Sequence, residues 1–311
     1  MKVNERSFVK RCVVRVAAGI LCILLGVSFA SCEKKGKLKA AEKDNPVYTR
    51  IVSLSPAGTE ILCAVGAIDQ IVARTDFCDF PEAVKEKPSV GGFSGETLSV
   101  ETILCYKPDF VYGTAGIHDS VTQLLEQAGV PVYLSKVNSV DDVLNEICVI
   151  GSLTGHSEEG LECYKKIKAV FAEVNSLVKN EEKHTVYYEV WNSPYMSIGS
   201  KSYISGLVEA AGGINVFSDV NEEYPLVSEE AVVTRAPEII IIPDMNGESK
   251  KSIESRHGWT VIPAVKKGNI YFAESNVFSR PGPRMTEALV SIAQMIHPEI
   301  DFSGVDAVVL E

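Results

Sequence analysis

The side chains best suited to chemistry in this 311-residue chain are aromatic rings and guanidinium groups in segments that read as loops. Phe77, Phe93, Trp191, Tyr195, Tyr224 and Phe278 are the rings, and Arg280 and Arg284 are the cations. Flat aromatic faces suit a flat or bulky conjugated ligand, and a guanidinium suits carboxylates, amides or phosphate. Singly, each ring also reads as loop packing, and each arginine as a carbonyl cap or a surface ion pair. The set is harder to dismiss because it occurs in both halves of the chain.

Signals for catalysis are absent from the sequence. No G-x-S-x-G elbow, P-loop or G-x-G-x-x-G follows a predicted strand. Ser55 has no histidine near it in sequence. The five histidines, His118, His156, His184, His257 and His297, lack helical ligand spacing, so a preformed metal cage is not expected. Of eight cysteines, Cys12 and Cys22 lie in the leader 1–31 and Cys32 directly follows it. Cys63, Cys78, Cys105, Cys148 and Cys163 form no C-x-x-C pair and are expected as small buried hydrophobes.

The scaffold that carries these residues is marked by a repeat. Ser99-Val-Glu-Thr-Ile-Leu-Cys-Tyr-Lys-Pro-Asp-Phe-Val-Tyr112 returns at an offset of 129 as Ser228-Glu-Glu-Ala-Val-Val-Thr-Arg-Ala-Pro-Glu-Ile-Ile-Ile241. In each copy a serine can cap a short helix. Glu101 or Glu230 sits where the helix dipole favours an anion. Pro108 or Pro237 ends the helix. Asp109 or Glu238 then leads into an apolar run that suits a buried parallel strand. A unit used twice in register predicts two lobes built alike.

The remaining pattern agrees. Arg50–Leu54 reads as a strand, and Ser55-Pro56-Ala57-Gly58-Thr59-Glu60 opens a helix with Pro56 at its first position. Ile71–Arg74, Val130–Leu134, Thr185–Val190 and Ile270–Ala273 read as further strands alternating with helices. This implies α/β lobes with parallel sheets covered on both faces. Between the halves, Leu161, Tyr164, Ile167, Phe171, Val174 and Val178 recur at helical spacing over Glu158–Lys179. At ~1.5 Å per residue that helix spans about 33 Å and reads as a strut joining the lobes.

The start of the chain is a targeting segment. Lys2, Arg6, Lys10, Arg11 and Arg15 precede the apolar Val16–Ala30, which is short for a membrane span. Phe29-Ala30-Ser31-Cys32 resembles a bacterial lipobox, although Phe29 departs from the usual leucine or valine. Lipidation at Cys32 would anchor the protein to a membrane, outside the cytoplasm, without spanning it. An ordinary signal peptide cut near Ala30 is the other reading. Glu33–Asn45 is rich in Lys and Glu and reads as a tether. The expected organisation is 1–31 signal peptide, 32–48 tether, 49–156 first α/β lobe, 157–182 linker helix and 183–311 second lobe. Removing the leader, with five basic residues and Glu5, takes the formal charge from −11 to −15. No basic stripe survives, so nucleic acid is not an expected partner.

In order, Ser55–Glu60, Asp76–Pro81, Val90-Gly-Gly-Phe93, Lys107-Pro-Asp109, the long helix, Gly212-Gly213-Ile-Asn-Val-Phe217, Tyr224-Pro225 and Arg280-Pro-Gly-Pro-Arg284 resemble the cobalamin/ferric-siderophore class of substrate-binding proteins. The likeness covers roughly residues 49–298. It implies two Rossmann-like lobes joined by one helix, a ligand cleft between them, a monomer, and an ABC importer permease as partner. It implies a metal chelate as cargo, with no resident cofactor and no bound metal of the protein's own. Phe77, Phe93 and Tyr224 match positions whose rings sandwich a corrin. Thr114 stands where those binders can carry a tryptophan, so a ferric siderophore or haem stays open beside cobalamin. The expected ligand-side set is Ala57, Phe77, Phe93, Trp191, Tyr224, Arg280 and Arg284. Glu101 and Glu230 match the positions through which the class docks on its permease. A free-metal binder and a cleft enzyme such as a hydrolase are the rival readings.

Overall fold

Two sheets, mostly parallel, carry the chain. The computed structural model describes residues 46–308 and 310; the leader, Cys32 and the tether to residue 45 lie outside the described residues. The first sheet contains β1 (Ile51–Ser53), β2 (Ile71–Arg74), β3 (Phe110–Thr114) and β4 (Val132–Ser135), all parallel, in the order β2-β1-β3-β4. The second contains β5 (Thr185–Asn192), β6 (Tyr195–Ser197), β7 (Ile214–Asn215), β8 (Ile239–Pro243) and β9 (Ile270–Ala273). Its order is β6-β5-β8-β9, with β7 also on β5. Only the β5–β6 pair is antiparallel.

The unbroken Ile239-Ile-Ile-Ile242 run shows why β8 needs no polar alternation. Ile239 and Ile241 enter a core shared by both lobes and the linker helix, while Ile240 and Ile242 enter the second lobe's outer core with Trp259 and Ile253. In β3, Phe110 and Tyr112 face the shared core and Val111 faces the first lobe's outer core with Leu125 and Ile103. Successive strand side chains point to opposite faces, so a strand sealed on both sides is apolar throughout.

The repeated unit folds the same way twice. The Ser99 hydroxyl oxygen accepts from the Thr102 N–H at 3.2 Å, and that of Ser228 from the Ala231 N–H at 3.1 Å. Asp109 ties the start of β1 by accepting from the Thr49 and Arg50 N–H groups, both at 2.9 Å. Glu238 does the same for β5 through the Thr185 N–H at 3.0 Å. The acid after each proline therefore fixes the register of the strand beside it.

The linker helix runs Ser157–Val178. Its buried line is Cys163, Ile167, Val170, Val174 and Val178, and Leu161 is exposed. The stripe expected through Leu161, Tyr164 and Phe171 is therefore rotated: Tyr164 and Phe171 flank the core half-buried. Gly160 packs closely on Gly151 of the preceding helix: a Cβ on Gly151 would lie 3.2 Å from the Gly160 Cα, and one on Gly160 would lie 3.3 Å from the Gly151 Cα.

Two further expectations are corrected, for Trp191–Tyr195 and for the cysteines, and a third segment, Gly213–Phe217, gains a strand the sequence set no expectation for. Trp191–Tyr195 is not a free loop but the turn of the β5–β6 hairpin. Gly213-Ile-Asn-Val-Phe217 includes a short strand, locked by Asn215, which donates to the Ile198 carbonyl at 2.9 Å and accepts from the Phe217 N–H at 3.0 Å. Of the cysteines expected to be buried, Cys78 and Cys163 are, Cys63 and Cys148 are half-buried, and Cys105 is exposed; all five are free thiols.

Candidate functional site: a cleft between the lobes

Open α/β sheets present ligands at the carboxyl ends of their parallel strands, where the chain leaves the sheet. A cavity of about 560 Å³ lies there, lined from both lobes. The first lobe gives Ser55 to Ala57 after β1, Phe77 after β2, Thr114 and Ala115 after β3, and Ser135 and Val137 after β4. Phe93 and Ile117 complete that wall. The second lobe gives Glu223 and Tyr224 from the loop before the second repeat copy, Met245 after β8, and Asn276, Ser279, Arg280 and Pro281 after β9.

The helix Pro56–Ala64 opens onto the cavity. The Ser55 hydroxyl oxygen accepts from the Gly58 N–H at 3.3 Å and from the Thr114 hydroxyl at 3.0 Å. Gly58 is required for close approach: a Cβ there would lie 1.9 Å from Cε1 of the Tyr112 ring. The Tyr112 hydroxyl donates to buried Glu146, and the Ser135 hydroxyl donates to the other carboxylate oxygen at 2.8 Å. Burial pushes the Glu146 carboxyl above the usual carboxylate range.

The aromatic wall is held by an imidazole. Phe77 and Phe93 have centroids 5.8 Å apart, and Phe93 meets His118 edge-on at 5.6 Å. His118 is fully buried. Its Nδ1 lies 2.8 Å from the Thr114 N–H and therefore accepts. Its Nε2 then carries the proton and donates to the Phe93 carbonyl at 2.8 Å. Burial lowers the His118 pKa, which keeps the ring neutral and this tautomer in place.

Under the cavity the lobes are pinned by buried charge. Glu60, on the first lobe's opening helix, receives both arginines of the second lobe. Arg284 reaches it through Nε at 3.0 Å and Nη2 at 2.6 Å. Arg280 reaches it through Nη1 at 3.1 Å, with Asp79 on the same nitrogen at 2.8 Å. Arg280 Nη2 donates to the Phe77 carbonyl at 3.3 Å and to Asn276 at 2.9 Å. The Arg284 guanidinium also stacks 4.0 Å over Phe80. The positive charge of both arginines is thus already met by Glu60 and Asp79.

The expected residues divide accordingly. Ala57, Phe77, Phe93, Tyr224 and Arg280 are brought together in the lining. Arg284 lies beneath it on Glu60, and Trp191 stands outside it on the hairpin, its indole N–H donating to the Ser193 carbonyl at 3.1 Å. Tyr195 donates to Glu229 at 2.8 Å and Phe278 is core, stacked on Tyr188. Glu223, Met245, Asn276, Ser135 and the supporting His118 and Glu60 were not singled out as ligand-side residues. Most stand within a few residues of a predicted strand end, the signal that could have found them.

Glu101 and Glu230 are both exposed in the first turn of their helices. Each carboxyl is held below the usual range by its own backbone N–H and by the capping serine, Ser99 or Ser228.

Residues 51–277 match the family described as periplasmic binding protein. The chain is 26% identical over 255 residues to the vitamin B12-binding protein of Vibrio parahaemolyticus, covering 80% of this chain and 90% of that one. It is 28% identical over 259 residues to an uncharacterized ABC transporter substrate-binding lipoprotein, YvrC, of Bacillus subtilis, covering 80% of each. The crystal structure of a possible iron-binding, periplasmic solute-binding protein from Staphylococcus epidermidis superposes with a TM-score of 0.72 at 29% identity, covering 80% of this chain and 99% of that one.

Proposed function

Because the chain belongs to the periplasmic binding protein family and is the substrate-binding protein of an ABC importer, we propose that its cleft carries a metal chelate, with a cobalt corrinoid favoured. It binds and releases its cargo and is not an enzyme, which sets the hydrolase reading aside. The observation that carries the proposal is the cavity walled by Phe77 and Phe93 from one lobe and Tyr224 from the other. Ring faces on opposite lobes can hold a broad conjugated ligand from both sides. The similarity to a vitamin B12-binding protein supports a corrinoid in particular.

A ferric chelate is the second reading, favoured by the similarity to a possible iron-binding protein. The absence of histidine and cysteine from the lining supports a chelate over a free ion. Among the described residues, no three His, Cys, Asp or Glu side chains gather as a metal site. Delivery is to the importer's permease, with Glu101 and Glu230 as the docking acids and lipidated Cys32 as the anchor. Native mass spectrometry and absorbance of protein purified from its own host test the cargo. A corrinoid or ferric chelate mass is expected; protein that carries neither, and binds neither when offered, overturns the reading.

A further inference from the structure

The charges around the cleft carry the chemistry of the cargo one step further. Arg280 is the sole cation of the lining, and its donors are committed to Glu60, Asp79, Phe77 and Asn276. Arg284, Arg280, Glu60 and Asp79 together sum to zero. Lysine and histidine are absent from the lining. One charged side chain of the lining remains without such a partner set, the Glu223 carboxylate beside Tyr224. The charged group that faces it from the first lobe is Lys136, exposed and outside the lining.

We propose that the cleft selects a chelate whose rim is neutral and amide-like, and that Glu223 is the residue that enforces the choice. This rests on the chelate reading above. A carboxamide offers an N–H for Glu223 to accept and a carbonyl for the first-turn N–H groups at Ala57 and for the cavity hydroxyls. A free carboxylate at the same place offers no donor, so it meets Glu223 as a like charge with no spare guanidinium to offset it. Discrimination arises because half-buried Glu223, once the ligand excludes water from it, costs more when left unpaired or opposed by like charge than a good pair gains. Burial raises the Glu223 pKa while Tyr224 and Lys136 oppose the rise, consistent with a carboxyl short of compensating charge.

The test is titration of the purified protein with paired probes that differ in rim charge. Cobinamide, with amide side chains, is set against cobyrinic acid, with free carboxylates. Ferrichrome, a neutral hydroxamate, is set against a ferric tris-catecholate, and haem is included for its two propionates. The neutral member of whichever pair binds is expected to bind at least tenfold tighter. Glu223→Gln, checked for an unchanged melting temperature, should narrow that ratio at least fivefold, mainly by improving the charged member. Equal or tighter binding of cobyrinic acid, the tris-catecholate or haem overturns the inference while leaving the chelate reading standing. An unchanged ratio in Glu223→Gln overturns the role of Glu223. Failure of every probe to bind overturns the chelate reading and this inference with it.

Discussion

Lys107 and Ala236 occupy one position of the repeated unit, 129 residues apart, and both hold left-handed backbone, with φ of 49° and 45°. They are the two non-glycine residues with positive φ among the described residues. Each is exposed, ends a short helix and precedes a buried proline. The left-handed turn lets the chain reverse from the helix into β3 or β8 without losing the carbonyl caps of the last turn. Such backbone costs roughly 1–2 kcal/mol for a residue with a Cβ, and glycine escapes it at some entropic cost in the unfolded chain. Lys107→Gly and Ala236→Gly are therefore each expected to raise stability by about 0.5–1 kcal/mol. Denaturant unfolding checks this, and lowered midpoints for both would show that the turn is unstrained.

The cleft assignment predicts unequal effects for three aromatic residues. Phe93→Ala and Tyr224→Ala each remove a lining ring, worth about 0.5–1.5 kcal/mol beyond its buried area, so binding should weaken by several-fold or more. Trp191→Ala removes a ring outside the lining and should leave affinity within about twofold. Calorimetric titration with cobinamide or ferrichrome, whichever the protein binds, distinguishes the three. Wild-type affinity in both Phe93→Ala and Tyr224→Ala would discard the cleft.

Glu60 is the anchor between the lobes. Its removal strands two guanidinium groups in a dry site, and breaking a buried pair in this way costs about 3–5 kcal/mol. Glu60→Ala is expected to lose stability on that scale, and Glu60→Gln less. Asp79→Ala should cost little, because its side chain is 41% exposed and Arg280 keeps its other acceptors. Thermal unfolding of the three variants orders them; equal midpoints would remove the anchor role.

His118 gives the site a pH dependence with a defined sign. Burial lowers its pKa below the ordinary 6.5, so the unfolded chain binds the proton more readily than the folded one. Its contribution to stability is complete above about pH 6.5 and is lost as pH falls toward the lowered folded value. A protonated Nδ1 would also confront the Thr114 N–H at the cavity end of β3, while the Nε2 donation to the Phe93 carbonyl persists. Nearby Asp119 opposes the shift and moderates it. Stability and ligand affinity are expected to fall together as pH drops below about 6.5, with His118→Gln flattening both profiles. A variant profile parallel to wild type would assign the acid sensitivity to another group, such as His297, whose pKa is lowered by burial too.

Much of this was legible in the chain because two-sided burial writes itself as apolar runs. Ile239–Ile242, bounded by Pro237 and Pro243, is too short for a helix and suits a strand sealed on both faces, and the capping serines with their prolines bracket the helices that precede such strands. The aromatic residues were harder to sort. Phe77 and Phe278 look alike in sequence, yet one is 55% exposed at the cavity and the other 2% exposed in the core. What separates them is which side of a loop faces the opposite lobe, and no local pattern encodes that. Arg280 and Arg284 read in sequence as ligand-side cations, carbonyl caps or surface ion pairs, because Glu60, more than 200 residues away, shows no sign in sequence that it will meet them. The linker stripe is misplaced for a similar reason: which side of the helix faces the core depends on its packing against elements distant in sequence, such as the Gly151–Gly160 approach.

Docking on the permease is expected to use Glu101 and Glu230. Both are exposed, both sit in the first turn of a repeated helix, and both are held ionised by the same local donors, the backbone N–H and the serine hydroxyl. A carboxylate stabilised at a helix start can still reach outward to a partner cation. Exposed ion pairs are individually weak, typically below about 1 kcal/mol, so one such contact would not hold a complex. Two contacts, one per lobe, act together, because the first raises the effective concentration of the second. A partner with two like halves could meet both. Glu101→Ala combined with Glu230→Ala should therefore leave ligand affinity and melting temperature near wild type while markedly reducing permease binding and uptake. Each single variant should fall between. Glu126→Ala and Glu173→Ala, acids outside the repeat, should change little, and added salt should weaken the wild-type complex as screening predicts. Normal uptake by the double variant would reduce these glutamates to helix-start residues and move the docking surface elsewhere on the lobes.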